Sequence, residues 1–134
     1  MPKRRLTLSV ALPPYRHPRN EWRRLIHRAA RDAQTVRNVH YLPSDKLEVQ
    51  VSLNLSPSAS LHHDVDNRLK DILDALQGRA GGSKALHALK PIVPNDRQIY
   101  RVSIEKSPRA DRKRPRGKIT IRKVRGWRSI RSSA

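Results

Sequence analysis

The sequence predicts a single small domain of mixed α/β (α+β) class, with a mixed β-sheet and two main helices in the order β-α-β-α-β-β. Two periodic patterns lead to this prediction. Four short stretches alternate apolar and polar residues with the period of two that half-buried strands show, and two longer stretches repeat apolar residues at helical spacing. A length of 134 residues fits one compact domain.

The first half of the chain supplies two strands and the longer helix. The first strand alternates apolar with small or polar residues from Leu6 to Leu12. Asn20 is expected to cap a helix that runs to about Val36. The face of this helix opposite its apolar stripe either is solvated or contacts phosphate, and it carries Arg23, Arg24, Arg28 and Arg31. The next strand has the clearest alternation in the chain, with Leu47, Val49, Val51, Leu53 and Leu55 on one side.

The second half begins with a helix over "DVDNRLKDILDAL", Asp64 to Leu76, in which one buried stripe consists of Leu69, Ile72, Leu73 and Leu76. Residues 77–95 have irregularly spaced Gly and Pro, which predicts a loop or lid-like insertion. The third strand follows Asp96, and its ambiguous alternation allows a bulge. The last strand is "KITIRKV", and we expect residues 125–134 to form a basic, mobile tail after a domain at 1–124.

The charge of the chain points to a polyanionic partner. Thirty Lys and Arg stand against eleven Asp and Glu, a formal net charge of +19. Such an excess makes nucleic acid the default partner. The N-terminal apolar run ends in Pro13-Pro14 rather than at a small-residue cleavage site, and no stretch is long enough to span a bilayer. We therefore expect a soluble, intracellular protein with no membrane partner.

The composition of the chain also bears on its oligomeric state and on the kinds of covalent or metal site that it can form. The chain has no Phe and no Cys. A small core built mostly from aliphatic residues gains stability when further apolar surface is buried between subunits. The composition therefore predicts a homodimer. Without cysteine, disulfides and Cys-based zinc sites are excluded.

Four of the scarce acids lie in the second helix, at Asp64, Asp66, Asp71 and Asp74. A purely structural reading is available for them: an Asp at a helix start caps free N–H groups, and Lys70 can pair with Asp66 and Asp74 one turn away on either side. A metal site is the other reading. Asp96 stands before a predicted strand, and three convergent carboxylates would bind Mg²⁺ or Mn²⁺.

These acids and their surroundings resemble the RusA family of Holliday-junction resolvases. The family pattern runs roughly D-x-D-N-L-x-K-x-x-x-D-A-L, followed after a short gap by D-D-x-Q-(I/V). The matching residues are Asp64, Asp66, Asn67, Lys70, Asp74, Ala75 and Leu76, then Asp96, Gln98 and Ile99. The chain departs from the pattern at Arg68, where the family usually has Leu, at Asn95, which replaces the first acid of D-D, and in a longer gap after Leu76. The resemblance covers roughly residues 6–124.

The resemblance implies a homodimeric endonuclease that resolves four-way DNA junctions by paired, metal-dependent nicks, with residues 1–124 as its nuclease domain. Carried over, Asp64, Asp66 and Asp96 would hold Mg²⁺ or Mn²⁺. Lys70 would position the attacking water or stabilise charge on the phosphate, and Asp74 would be structural through its pair with Lys70. Further contacts to DNA are expected from His63, Arg68, Arg112, Lys113, Arg114 and Arg116.

Two other functions remain open at this point. The chain would be a non-catalytic architectural or ribosomal-type binder if its acidic helix only folds the domain. A nuclease of the same fold that acts on flaps or replication forks is the second alternative. A small resolvase of the expected kind would be cytoplasmic and associated with the nucleoid, and would suit a bacteriophage or prophage.

Overall fold

The predicted order of elements is confirmed. The computed structural model describes residues 6–15, 18–54, 64–79, 89–107 and 117–124. Within these residues, four strands, two helices and one short 3₁₀ turn follow one another as β1 (Leu8–Ala11), α1 (Arg19–Arg37), β2 (Leu47–Asn54), α2 (Val65–Leu76), the turn (Asp96–Gln98), β3 (Ile99–Ser107) and β4 (Gly117–Lys123). Leu55 and the predicted tail at 125–134 lie outside the described residues. The homodimer concerns a second chain and stays a prediction.

The four strands form one mixed sheet in the order β1-β4-β2-β3. β2 pairs parallel to β3 and antiparallel to β4, and β1 pairs antiparallel to β4. The register of β2 with β3 shifts between Leu47, which faces Ile99, and Glu48, which faces Arg101. The extra residue, Tyr100, explains why the sequence of β3 fits two registers: the strand contains a bulge.

One face of the sheet carries the core and the other faces solvent. In β1, β2 and β4 the described strand residues predicted to point inward are buried, as are Trp22 and Ile26 of α1 and Ile72 and Leu76 of α2. On the edge strand β3, Ile99 and Ile104 are only partly buried and Val102 is 40% exposed. The buried apolar residues of β1, β2 and β4 face one another in register and so lie on one side of the sheet, where both helices pack. The opposite face, which we call the open face, carries mainly polar and charged side chains: Ser9, Gln50, Ser52, Arg101, Ser103, Lys118, Thr120 and Arg122.

The start of α1 differs from the prediction. Pro18, not Asn20, occupies the N-cap position, and no side chain caps the helix there. Pro18 has the extended backbone (φ −72°, ψ 162°) typical of an N-cap residue, and its carbonyl accepts the Glu21 N–H at 2.9 Å. The helix ends at Asn38, which adopts the left-handed conformation (φ 54°) and donates its N–H to the Gln34 carbonyl.

The end of the predicted insertion belongs to the domain. The Leu76 carbonyl at the end of α2 accepts hydrogen bonds from the N–H groups of Ile92 (2.8 Å) and Val93 (3.0 Å), and both of these side chains are buried. Gly78 has a positive φ of 84° and lies so close to Leu89 that a Cβ would collide with its carbonyl. His27 on α1 bonds through Nε2 to the Lys90 carbonyl at 2.7 Å. Residues 80–88 lie outside the described part.

The connections give the sheet two distinct ends. At the carboxyl end of β2, Leu53 faces Gly117, where β4 begins, and Asn54 faces Ser107, where β3 ends. At the amino end of β2, Leu47 faces Ile99, where β3 begins. β1, β2 and β3 run in one direction, so each helix must return the chain from the carboxyl end to the amino end. In the described part, no helix is long and apolar enough to cross a bilayer.

Candidate metal and nucleic-acid site

Asp64 and Asp66 lie at the start of α2 with exposed side chains. Asp64 is the N-cap residue, and its Oδ1 accepts a hydrogen bond from the Asp66 N–H at 2.9 Å. Its carbonyl accepts the Arg68 N–H at 3.0 Å. The capping role weighed from the sequence is therefore real for Asp64, and it engages one of the two carboxylate oxygens. Both carboxylates also favour the positive end of the helix dipole.

The ion pairs predicted around Lys70 are wrong. Lys70 is exposed, and among the described residues no ion pair joins it to Asp66 or Asp74. Asp74 instead lies 3.2 Å from Arg23 on α1, measured from Oδ2 to Nη2. The assignment of Asp74 to structure still fits this contact, but its partner is across the helix interface. Lys70 is left facing solvent one turn into α2.

Asp71 is the most buried acid of the helix, with no exposed side-chain surface. Its Oδ1 accepts four hydrogen bonds, from Nε and Nη2 of Arg19 (3.0 and 2.8 Å) and from Nε and Nη2 of Arg23 (3.1 and 2.9 Å). The bonds raise the pKa of the Arg19 guanidinium because they favour its charged form. Asp71 therefore fastens α2 to the start of α1.

This contact corrects the expectation for α1. Arg23 was expected on a solvated or phosphate-contacting face, but only 15% of its side chain is exposed and it pairs with two aspartates of α2. Arg24 and Arg28 do lie on the exposed face. The prediction failed because the row that continues from Arg19 to Arg23 faces α2 rather than solvent.

Arg68 also lies inside the domain. Only 11% of its side chain is exposed, and its Cζ lies 3.8 Å from the ring centre of Tyr15 and 5.7 Å from that of Trp22. Its Nη1 stands 3.7 Å from the Asp71 Oδ2. A guanidinium stacked in this way stabilises the helix interface. The placement argues against the predicted role of Arg68 in DNA contact.

Asp96 lies at the other end of the sheet from Asp64 and Asp66. Asn95 caps the 3₁₀ turn that contains Asp96, and the side chain of Gln98 donates at 2.7 Å to the carbonyls of Leu42 and Asp45, just before β2 begins. Asp64 precedes Arg68, which packs on Tyr15 beyond the carboxyl end of β1.

The length of α2 separates these acids. Its 12 residues at about 1.5 Å each make the helix about 18 Å long. Among the described residues, no group of three or more His, Asp or Glu side chains is placed to hold a metal ion. One chain therefore brings Asp64 and Asp66 together at the carboxyl end of β2, and it does not bring Asp96 to them.

The remaining predicted DNA contacts lie outside the described residues: His63, Arg112, Lys113, Arg114 and Arg116. The residues that flank the basic segment 108–116 are described. Ser107 ends β3 and Gly117 begins β4, and both lie at the carboxyl end of β2. α2 also starts at this end. The chain thus enters and leaves its most basic segment at the same end of the sheet as Asp64 and Asp66.

Sequence reasoning assigned no role to Asp71, Arg19 or Glu48. One signal for the first was available: Asp71 shares a helical row with Arg68 and Ala75, next to the apolar stripe. An acid beside a buried stripe is normally paired. Comparison of the chain with protein-family models, with curated proteins and with solved structures gives no match in any of the three.

Proposed function

We propose that this protein is a divalent-metal-dependent endonuclease that cuts branched DNA, with the four-way junction as its substrate. One observation carries the proposal. The exposed acids at the start of α2 lie at the end of the sheet where both flanks of the basic segment 108–116 lie. A polyanion drawn by the basic residues would be delivered to the carboxylates. The family resemblance supplies the reaction class.

The residues present fit a hard cation. Asp64 and Asp66 offer oxygen ligands, which Mg²⁺ and Mn²⁺ prefer, and no ion pair among the described residues occupies them. A bound cation would polarise the scissile phosphate and generate hydroxide from water. It would also convert a pair of acids that repels phosphate into a site that attracts it. Lys70 adds an exposed positive charge one turn along the helix.

The position of Asp96 supports a homodimer in which the site is shared. If Asp96 is a ligand, it must come from a second copy, because its own chain holds it at the opposite end of the sheet from Asp64. A two-fold axis would then form two identical sites, each with Asp64 and Asp66 of one copy and Asp96 of the other. Two sites match the two symmetry-related strands of a junction.

The first test is cleavage of a four-way junction with Mg²⁺ or Mn²⁺. We expect metal-dependent paired nicks, and at least a hundredfold loss of rate, of the order seen for removal of a catalytic electrostatic group, for Asp66→Asn. Junction affinity in EDTA should be unchanged or higher. The matched control is Asp32→Asn, an exposed acid of α1. Tight binding by the wild-type protein without nicking would indicate an architectural binder, and faster cleavage of flaps or forks would indicate the related nuclease.

A subunit-mixing experiment tests the shared site. Two differently tagged copies, one with Asp66→Asn and one with Asp96→Asn, are inactive as homodimers in this proposal. Co-expression and purification through both tags gives heterodimers with one intact site, so single nicks should return without paired cuts. If each chain held a complete site, both sites of the heterodimer would be defective. No recovery of nicking by such a heterodimer would therefore contradict sharing.

A further inference from the structure

A row of charged side chains crosses the open face near the amino end of β2. Glu48 on β2 faces Arg101 on β3 and Arg122 on β4 in register. Its two carboxylate oxygens lie 3.4 Å from the Arg101 Nη1 and 3.3 Å from the Arg122 Nε. Glu48 is 7% exposed, so this carboxylate is held between the two arginines inside the sheet surface. The predicted DNA contacts include none of these three residues.

The row forms one wall of an open cavity of about 350 Å³. Thr7 and Lys123 also line it. Among the described residues, its charged lining consists of three cations and one acid. The side chains of Arg101 and Arg122 are 58% and 43% exposed, so their charge is accessible from the cavity.

The guanidinium of Arg122 has more donors than its two neighbours on β2, Glu48 and Gln50, engage. A guanidinium has five N–H donors in a fixed fork. The Arg122 Nη2 donates to the Gln50 Oε1 at 3.1 Å, but the Arg122 Nε is buried and has no hydrogen-bond partner. Its contact with Glu48 is an ion pair that does not meet hydrogen-bond geometry. The Nε itself is out of reach of an anion from outside, but the Arg122 side chain is 43% exposed, so its guanidinium can donate further hydrogen bonds into the cavity.

The chemistry of the cavity selects phosphate. An anion with several acceptor oxygens matches two forked guanidiniums and an ammonium. No aromatic side chain is among the described residues that line the cavity, so it lacks a surface on which a base would stack. Glu48 holds the arginines apart and in place, which lowers the cost of ordering them when the anion binds.

We infer that this cavity binds a backbone phosphate of DNA, at the amino end of β2 and away from Asp64 and Asp66. The inference rests on the proposed function only in taking DNA as the polyanion. A phosphate held here would fix an arm of the substrate relative to the domain without contacting the reacting atoms, and would add sequence-independent affinity.

The test measures how the affinity for a plain duplex depends on salt, in EDTA so that cleavage plays no part. The slope of log K against log salt falls by about one for each phosphate contact that is lost. We expect this reduction for Arg122→Gln and also for Arg101→Gln, which leaves the Arg122–Glu48 pair in place. The matched control is Arg37→Gln, since Arg37 is an exposed arginine in the last turn of α1 and does not line the cavity. It should keep the wild-type slope.

Each outcome decides the inference. Unchanged slopes for both arginine variants, or equal reductions for all three, would overturn it, because the second result indicates diffuse attraction rather than a site. Thermal unfolding of each variant excludes loss of fold as the cause. A competition arm separates the sources of phosphate: inorganic phosphate that binds the wild-type protein but not Arg122→Gln, and does not displace duplex at equal ionic strength, would reassign the cavity to free phosphate. If the wild-type protein does not nick junctions, the proposed function is contradicted. The salt dependence of duplex binding still tests the phosphate site, because it is measured without cleavage.

Discussion

Asp71 and Asp64 lie about two turns apart on the same helix, and their surroundings are opposite. Asp71 is fully buried and accepts four hydrogen bonds from two arginines of α1. The Asp64 side chain is exposed, and its carboxylate accepts one hydrogen bond, from the Asp66 N–H of its own helix. The difference shows that the acids of α2 form two groups. Asp71 and Asp74 hold the helix against α1, while Asp64 and Asp66 face solvent and remain available to a ligand.

The division also shows what the fold provides to the candidate site. A carboxylate that is to bind metal must be held in place without having its oxygens consumed by other partners. The start of α2 meets this condition because the helix is fastened one to two turns further along, at Asp71. The contacts that hold the helix in place therefore do not involve the carboxylates of Asp64 or Asp66.

Of the substitutions that test this comparison, Asp71→Asn is expected to lower the free energy of unfolding the most. The change keeps the shape of the side chain and leaves Arg19 and Arg23 without their buried counter-charge. Removing one partner of a buried ion pair costs about 3–5 kcal/mol of the free energy of unfolding. Urea denaturation measures the loss, and Asp66→Asn is the matched control that should change it little. A loss below about 1 kcal/mol would show that the cluster is not a fastening point.

The strands and the buried stripe of α2 could be predicted from the sequence because each follows from local spacing. Alternation in β2 and the i, i+3, i+4, i+7 spacing of apolar residues from Leu69 to Leu76 reflect which side of one element is buried. The bulge at Tyr100 left a trace of the same kind, since it made two registers of β3 equally good. None of these inferences requires knowledge of which elements are neighbours.

The placement of Asp71 and Asp96 could not be predicted in the same way. Asp71 depends on which face of α1 meets α2, and sequence spacing alone does not give that. Asp96 was expected beside Asp64 because a strand start can lie next to a helix start. The parallel pairing of β2 with β3 places the start of α2 and the start of β3 at opposite ends of the sheet. Strand direction, not residue type, decides this point.

A smaller effect should separate the two arginines that share Asp71. Both donate two hydrogen bonds to the same oxygen, but 46% of the Arg19 side chain is exposed against 15% for Arg23. Arg23→Gln also breaks the contact with Asp74, so we expect a loss of about 2 kcal/mol, in the range for hydrogen bonds to charged groups. Arg19→Gln should cost less than about 1 kcal/mol because solvent screens the exposed pair. Equal losses in urea denaturation would contradict this ranking.

The smallest effect concerns Asp64, where capping and metal binding can be separated by two substitutions. Asp64→Asn keeps a cap, since Asn accepts the same backbone N–H as well as Asp does, so stability should be unchanged. Asp64→Ala removes the cap and should cost about 1 kcal/mol. Both variants lack the carboxylate, and both should lose metal-dependent cleavage of the junction to a similar extent. If Asp64→Asn cleaves at the wild-type rate while Asp64→Ala does not, Asp64 acts only as a cap, and the comparison with Asp71 would then be one between a strong and a weak structural contact.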